Sequence, residues 1–208
     1  MNGNFNPIYV NSTLQILEKR CLTLLREGYN ATKLNVNISI DWEENDISKE
    51  LILHLDMNEK KRQWNITIVP EYPIYKNDNV SAKKASRIDF RFSNWTDNQE
   101  YAYFAEAKNL IEIDSIKAGR KTKISATSLH KRYIETGIDN YVLGKYPSYG
   151  CLLGYILQGT TANIIISINE LLSNDRRQSE QLNFDNSNDC YISKHNGLLV
   201  KHLMFDFT

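Results

Sequence analysis

Two carboxylates and a lysine on neighbouring predicted strands form the group of side chains best suited to chemistry. Asp89 lies on the polar face of a predicted strand at residues 87–92, and Glu106 and Lys108 lie two apart on a strand at residues 101–108. Residues two apart on a strand point to one side, so paired strands would bring the two carboxylates together beside the lysine. Carboxylates that meet repel each other and are best tolerated around a divalent cation, and hard oxygen ligands favour Mg²⁺ or Mn²⁺. Such an ion can polarise a phosphodiester and acidify water, while a lysine balances developing negative charge.

Glu-x-Lys alone is a weak signal, because a second copy occurs at residues 59–61. That copy lies at the polar end of a predicted helix, with no aspartate-bearing strand before it, and is typical of a solvated surface. The copy at Glu106 follows the aromatic residues of positions 101–104, which favours a strand packed in a sheet. Its structural alternative is a surface hairpin in which Lys108 pairs with Asp89 and contributes a fraction of a kcal/mol.

A run of basic residues follows the Glu-x-Lys strand without any interrupting acid. Clusters of this kind bind phosphate backbones, with an affinity that falls as salt rises. Charge runs are more often solvated loops, but the position directly after the candidate site favours contact with phosphate. The residues predicted to bind nucleic acid are Lys117, Arg120, Lys121, Lys123, Lys131 and Arg132.

The rest of the chain predicts the elements that position these residues. Gly28 is expected to end the first helix, and Pro70 and Pro73 to end the first strand. Residues 34–40 alternate as a short strand or an extended lead-in, and the apolar run at 149–157 is typical of a buried central strand. The order of elements predicts an α/β fold with a central mixed β-sheet flanked by helices. Helices are predicted at 11–28, 41–61, 128–146 and 162–172, and strands at 64–69, 87–92, 101–108, 149–157, 191–193 and 198–207.

Composition limits the class of protein. The 208 residues include 25 Lys and Arg against 25 Asp and Glu, and this zero net charge excludes binding of nucleic acid by bulk charge alone. Cys21, Cys151 and Cys190 are odd in number and far apart, which argues against a disulfide framework or a cysteine-based zinc site. With no signal peptide and no apolar run of membrane-spanning length, we expect a cytoplasmic protein without membrane association.

The aspartate, the Glu-x-Lys triplet and the acidic helix start before them together resemble the PD-(D/E)XK nuclease superfamily, which includes many restriction endonucleases. The resemblance covers residues 41–158 and implies a restriction-endonuclease-like fold. It implies one nuclease-like domain over residues 1–208, with an N-terminal helix and a C-terminal helix and strands added to the core. It also implies that Asp89 and Glu106 bind the metal and that Lys108 positions or activates water. The proline of the family name is Ile88 here, at a position that varies in the family.

The resemblance further implies a catalytic acidic residue from the preceding helix. Similar nucleases have one just before an Ile-Ser/Thr-x-x-Leu pattern, which occurs here at residues 47–51 and favours Glu44. Glu50 is the next choice, and Glu43 and Asp46 remain open. As an alternative, acidic residues stabilise a helix N-terminus without any catalytic role.

These features predict a metal-dependent endonuclease that hydrolyses phosphodiester bonds with Mg²⁺ or Mn²⁺, with DNA favoured over RNA. Residues 132–155 are similar to bacterial nuclease-like proteins, some in phage-defence settings, which suggests defence or restriction. The expected partners are nucleic acid and either a second copy of the chain or a larger subunit such as an ATPase or helicase. The alternatives are a non-catalytic nucleic-acid-binding or assembly subunit of a defence complex, and an effector active only inside a complex.

Several remaining residues have a structural and a functional interpretation. Tyr133, Tyr141 and Tyr146 could stack on bases, but core packing is favoured. His195 lies in a predicted turn at residues 193–197, where a catalytic Ser/His pair stays open although no G-x-S-x-G elbow is present. Gln158, at the end of the buried strand, is a weak site candidate.

Overall fold

The computed structural model describes residues 7–75, 85–118 and 121–208, with side chains from residue 12 onward. The helices are α1 (Pro7–Asn35), α2 (Glu44–Met57), α3 (Glu59–Gln63), α4 (Ala126–Arg132), α5 (Asp139–Val142) and α6 (Thr161–Asn174). The strands are β1 (Thr67–Ile74), β2 (Ser86–Thr96), β3 (Gln99–Ile111), β4 (Ser115–Lys117), β5 (Thr122–Ile124), β6 (Gly150–Gln158), β7 (Asn183–Asp185), β8 (Cys190–His195) and β9 (Leu198–Asp206). A π-helical turn, Tyr133–Ile138, joins α4 to α5, and a 3₁₀ turn, Gln178–Glu180, precedes β7.

Seven strands form one sheet in the order β1-β2-β3-β6-β9-β8-β7, and β4 and β5 form a separate two-stranded hairpin. In the large sheet β1 pairs with β2 antiparallel, β6 with β9 parallel, and β8 with both β9 and β7 antiparallel. The sheet is therefore mixed, and the prediction of an α/β fold with a central mixed sheet flanked by helices is confirmed.

The chain divides into two compact units. The first contains the residues up to Asn35 together with Lys49–Phe104, and the second contains Val36–Ser48 and Ala105–Thr208. Within the described residues, every helix is too short or too polar to span a bilayer.

In the first unit, helix α1 continues through Gly28 to Asn35, so the prediction that Gly28 ends it is wrong. A Cβ atom at Gly28 would lie 2.9 Å from Leu55 Cδ2 and 3.0 Å from Leu51 Cδ1. Leu51 and Leu55 are fully buried, as the helical spacing predicted. The glycine therefore permits α1 and α2 to approach closely, which outweighs its poor helix propensity.

Strand β1 is also longer than predicted, because Pro70 and Pro73 lie inside it opposite Phe90 and Arg87. At the edge of a sheet one side of a strand needs no ladder hydrogen bonds, so a proline without an N–H group can be accommodated. Directly after the end of β2, Asp97 and Asn98 form a two-residue turn with φ of 51° and 61°. Two positive φ angles suit the tight turn of a hairpin, which confirms the predicted pairing of β2 and β3.

The second unit is built on β6, whose residues from Gly150 to Ile156 are all buried, as predicted for a central strand. The predicted helix at 128–146 is instead α4, the π-helical turn and α5 in succession. A Cβ atom at Gly137 would lie 2.8 Å from Leu152 Cδ2, so the π-helical turn packs closely on β6. Beyond β6, the predicted helix at 162–172 is confirmed as α6.

Candidate active site

Glu106 and Lys108 occupy the part of β3 that belongs to the second unit, and both are buried. Their residues are 5% and 4% exposed, which is unusual for an acid and a base. The Lys108 ammonium group donates a hydrogen bond to Oε1 of Glu106 and another, 2.9 Å long, to the carbonyl oxygen of Ala107. The Glu-x-Lys triplet is therefore held inside the protein and does not form a solvated surface pair.

The second carboxylate oxygen of Glu106, Oε2, is buried and has no hydrogen-bond partner within the described residues. Burial raises the pKa of Glu106, and the neighbouring Lys108 ammonium and a hydrogen bond from the buried Tyr146 side chain oppose part of that shift. A buried carboxylate oxygen without a partner is costly unless something else binds it. Such an oxygen suits a hard cation or a proton donor on a bound molecule.

Glu44, the first residue of α2, connects the helix start to β3. Its Oε2 accepts a 3.1 Å hydrogen bond from the backbone N–H of Asn109, and its Oε1 lies 3.5 Å from Lys108 Nζ. Arg132 on α4 donates to the same Oε1 at 3.1 Å. Lys108 thus lies between the carboxylates of Glu44 and Glu106, and all of these residues belong to the second unit.

The other acidic candidates near the start of α2 are placed differently. Glu43 pairs with Lys117 at 2.8 Å, and its side chain is 51% exposed. Asp46 is exposed in the first turn of α2, and Glu50 is half-buried one turn further along the helix. The contacts with Lys108 and the β3 backbone distinguish Glu44.

Asp89 lies on β2 in the first unit and is 8% exposed. Its neighbours Ile88 and Phe90 are fully buried, as the strand pattern predicted. The structure therefore brings Glu44, Glu106 and Lys108 together in one unit and places Asp89 as a buried carboxylate in the other.

A cavity of about 460 Å³ adjoins Glu44 in the second unit. Its lining includes Asn109, which directly follows the Glu-x-Lys triplet, and the cationic side chains of Lys117, Lys123 and Arg132. Aliphatic side chains line it as well, namely Ile40, Ile111, Ile124, Leu129 and Leu157. Sequence reasoning missed Asn109 and these aliphatic residues. The sequence pointed to Asn109 only through its position directly after the triplet. It did not point to the aliphatic residues, because a cavity is formed by segments that are distant in sequence.

The basic residues predicted to bind nucleic acid divide into three groups. Lys117, Lys123 and Arg132 line the cavity, and Lys123 also lies 3.3 Å from Asp114. Lys121 and Lys131 are exposed on the protein surface. Arg120 lies outside the described residues. Three of the cationic side chains therefore line the cavity, and two more are exposed on the second unit.

Ser193 and His195 are buried on β8, so the prediction that His195 lies in a turn is wrong. Ser193 Oγ lies 2.6 Å from Nε2 of His195 and 2.8 Å from Nε2 of His202, and His195 Nδ1 lies 2.7 Å from a Glu180 oxygen. Tyr133 completes this polar network through its hydroxyl, 2.9 Å from His202 Nδ1. Ser193 is 1% exposed and its hydroxyl lies within hydrogen-bond distance of both imidazoles, so we interpret the network as structural.

Burial controls the charge of this network. It lowers the pKa of His202 to about 3 and, against the influence of Glu180, also lowers the pKa of His195. Burial by itself would raise the pKa of Glu180, but hydrogen bonds from Arg177 and His195 hold that pKa below its ordinary value. His202 is therefore neutral at physiological pH.

Other candidates have structural roles. The second Glu-x-Lys triplet lies on α3, where no residue is buried and Lys61 pairs with Asp56. The Oε1 of Gln158 accepts a hydrogen bond from the backbone of Ile113. The interpretation of the three tyrosines as core residues is confirmed, because Tyr133, Tyr141 and Tyr146 are all buried.

Comparisons of the chain with protein-family models, curated proteins and solved structures found no match. Among the described residues there is also no group of three or more His, Cys, Asp or Glu side chains arranged to hold a metal. Mg²⁺ usually needs only one or two protein carboxylates, because water and substrate phosphates complete its coordination. Glu106 Oε2 is a buried carboxylate oxygen that could take part in a site of that kind.

Proposed function

We propose that the protein is a metal-dependent nuclease that hydrolyses phosphodiester bonds, with DNA favoured over RNA as the substrate. The observation that carries the proposal is the buried lysine of the Glu-x-Lys triplet, held between the carboxylates of Glu106 and Glu44. The wider resemblance of residues 41–158 to the restriction-endonuclease-like nucleases supports the same assignment. A setting in restriction or phage defence follows from the resemblance of residues 132–155.

Glu106 and Asp89 are the proposed ligands of Mg²⁺ or Mn²⁺. The Oε2 of Glu106, which has no hydrogen-bond partner within the described residues, offers a hard oxygen donor. Asp89 is assigned from its position on the strand before the triplet. When bound, the ion would supply positive charge to the phosphate and lower the pKa of a coordinated water. Two carboxylates leave coordination positions for water and phosphate oxygens, as Mg²⁺ chemistry requires.

Lys108 is proposed to orient the attacking water and to stabilise negative charge that develops on the phosphate. The Lys108 ammonium group donates to Glu106 and to the Ala107 carbonyl, and it lies 3.5 Å from Glu44. A contact of that length is weak, so an N–H on the Glu44 side can turn to a water. Glu44 is therefore proposed to position Lys108, through its hydrogen bond to the β3 backbone at Asn109.

Binding of the nucleic acid backbone is assigned to the basic residues at and around the cavity. The net charge of the chain is zero, so attraction of phosphate depends on where the cations lie. Lys121 and Lys131 are exposed, and the Arg132 side chain is 52% exposed, so all three are accessible to a phosphate backbone. This placement supports contact with the backbone beside Glu44 and Lys108.

A nuclease assay tests the proposal. The purified chain is incubated with plasmid DNA, single-stranded DNA and RNA in Mg²⁺, in Mn²⁺ and in a chelator. We expect cleavage of DNA that depends on the metal and stops in the chelator. Binding of nucleic acid without cleavage in either metal, and with no change on substitution of Glu106 or Lys108, would instead support a non-catalytic binding subunit.

A further inference from the structure

The lining of the cavity beside Glu44 has two chemically distinct parts. Aliphatic side chains such as Ile40, Ile124 and Leu129 supply an apolar surface suited to a flat, weakly polar group. Lys117, Lys123 and Arg132 supply positive charge in the same cavity. Its volume of about 460 Å³ falls within the range of roughly 300–1,000 Å³ that is usual for small-molecule sites. A molecule that fits both parts has an apolar ring system and an anionic group.

Asn109 adds a specific requirement to the apolar part. Its side-chain nitrogen donates a 3.1 Å hydrogen bond to the carbonyl oxygen of Trp42, which fixes the orientation of the amide. Its Oδ1 is buried and has no hydrogen-bond partner within the described residues. Buried polar atoms are normally paired, so this oxygen lacks a donor that the N–H group of a ligand could supply. Nucleobases carry such donors on their edges, for example the amino groups of adenine, cytosine and guanine.

The cations of the cavity are suited to the phosphate of a nucleotide. Each already faces one carboxylate, Lys117 with Glu43, Lys123 with Asp114 and Arg132 with Glu44. The Lys123 and Arg132 side chains are 74% and 52% exposed, so they can turn towards an arriving phosphate without losing buried contacts. An arginine or lysine paired with phosphate forms a charge-assisted hydrogen bond.

We propose that this cavity binds a single nucleotide of the nucleic acid, with its base against the aliphatic side chains and Asn109 Oδ1, and its phosphate at Lys117, Lys123 or Arg132. The inference rests on the proposed nuclease function, because Glu44 both lines the cavity and contacts Lys108. A nucleotide held here lies next to the bond that is cut. A base can enter only when it is unstacked, so single-stranded or locally opened nucleic acid is the favoured form.

A substitution that fills the cavity provides the test. Ile124→Trp on β5 places a large ring in the cavity, and Leu129→Trp on α4 does so from a second element. Ile116→Trp is the matched control, since Ile116 lies on β4 of the same hairpin, is 65% exposed and is not part of the lining. Circular dichroism and thermal melting verify that each variant is folded, and either filling variant suffices if the other does not fold.

Binding is measured by fluorescence anisotropy in a chelator, with labelled single-stranded DNA, labelled duplex DNA, and free mononucleotides as competitors. We expect single strands to bind more tightly than duplex, and a folded filling variant to weaken single-strand binding at least 10-fold while Ile116→Trp leaves it unchanged. Free mononucleotides that displace the labelled strand from the wild type, but not from the filling variants, would show that the cavity also binds a free nucleotide. Unchanged binding of single strands and mononucleotides in a folded filling variant would overturn the inference.

The two proposals can fail separately, because this binding assay needs no cleavage. If the wild-type chain cuts DNA in Mg²⁺ and a filling variant cuts and binds equally well, the nucleotide site is refuted and the nuclease function stands. If nucleotides bind in the cavity and no cleavage occurs in Mg²⁺ or Mn²⁺, the cavity is a nucleotide site and the nuclease function is refuted.

Discussion

The backbone N–H of Asn109 donates a 3.1 Å hydrogen bond to the carboxylate of Glu44, and this contact ties the first residue of α2 to the strand that carries the Glu-x-Lys triplet. The two residues are 65 positions apart in the sequence. The bond leaves the other Glu44 oxygen to face Lys108 and Arg132. A single carboxylate thereby links the buried lysine, the cavity and a cationic side chain of the basic segment.

The role assigned to Glu44 predicts the effect of removing its charge. Glu44→Gln should lower the rate of DNA cleavage about 10- to 100-fold, the usual cost of losing a group that orients a reacting residue. The amide side chain has nearly the same shape, so the unfolding midpoint should change little. Glu50→Gln, on the same helix, is the control and should retain the wild-type rate. Equal rates for Glu44→Gln and Glu50→Gln would exclude Glu44 from the site.

The exposed lysines predict a change in salt dependence. Lys121→Gln combined with Lys131→Gln should weaken DNA binding and lower the slope of log Kd against log salt by about 1 for each lost phosphate contact. Lys19→Gln combined with Lys33→Gln removes the same charge from exposed positions on α1. That control should leave the slope unchanged. Identical slopes in both double variants would show that net charge alone determines binding.

The buried His202 predicts that acid destabilises the fold. Its pKa is about 3 in the folded chain against an ordinary value of 6.5, so between these pH values the unfolded chain binds a proton that the folded chain does not. Stability is therefore complete above pH 6.5 and falls as the pH is lowered, by about 2 kcal/mol from His202 between pH 7.5 and 5. Urea unfolding at several pH values measures this loss.

His202→Asn tests the origin of that pH dependence. It should be less stable than the wild type at pH 7.5, because the bonds to Tyr133 and Ser193 are altered, but it should lose about 2 kcal/mol less between pH 7.5 and 5. The same loss of stability in His202→Asn as in the wild type would assign the effect to other groups.

The close approach of α1 and α2 predicts that Gly28→Ala is destabilising. Alanine normally favours a helix over glycine by about 1 kcal/mol, but here the added Cβ would press on Leu51 and Leu55. Because overpacking costs about 1–3 kcal/mol, we expect a net loss of about 1 kcal/mol in urea unfolding. Leu55→Val shortens the side chain that the new Cβ would press on. The double variant Gly28→Ala, Leu55→Val should therefore lose less stability than the sum of the two single variants. A more stable Gly28→Ala chain would contradict the packing described.

The main elements could be predicted because their periodicity is strong. The alternation of Ile88, Phe90 and Phe92 identified β2, and the uninterrupted apolar run at 149–157 identified β6. The candidate site residues Glu106 and Lys108 followed from their spacing on one strand. Their burial was not predictable, because it depends on which elements cover the strand.

The errors arose where tertiary context overrides local preference. By propensity, Gly28 would end a helix and the two prolines would end a strand. The close packing of α1 on α2 requires glycine at position 28, and the edge position of β1 accommodates Pro70 and Pro73. The cavity at Asn109 was not predicted, since its lining comes from five separate parts of the second unit. Local sequence contains no signal for contacts of that kind.

The buried triplet on β3 is proposed to be catalytic, and the chain contains its own control in the triplet on α3, where no residue is buried. Cleavage of DNA in Mg²⁺ should be measured for Glu106→Gln and Lys108→Met beside Glu59→Gln and Lys61→Met, with folding verified by thermal melting. We expect the first two variants to lose at least about 100-fold in rate, as for a group that moves or holds a proton, and the second two to cut like the wild type. Wild-type cleavage by folded Glu106→Gln and Lys108→Met would contradict the account.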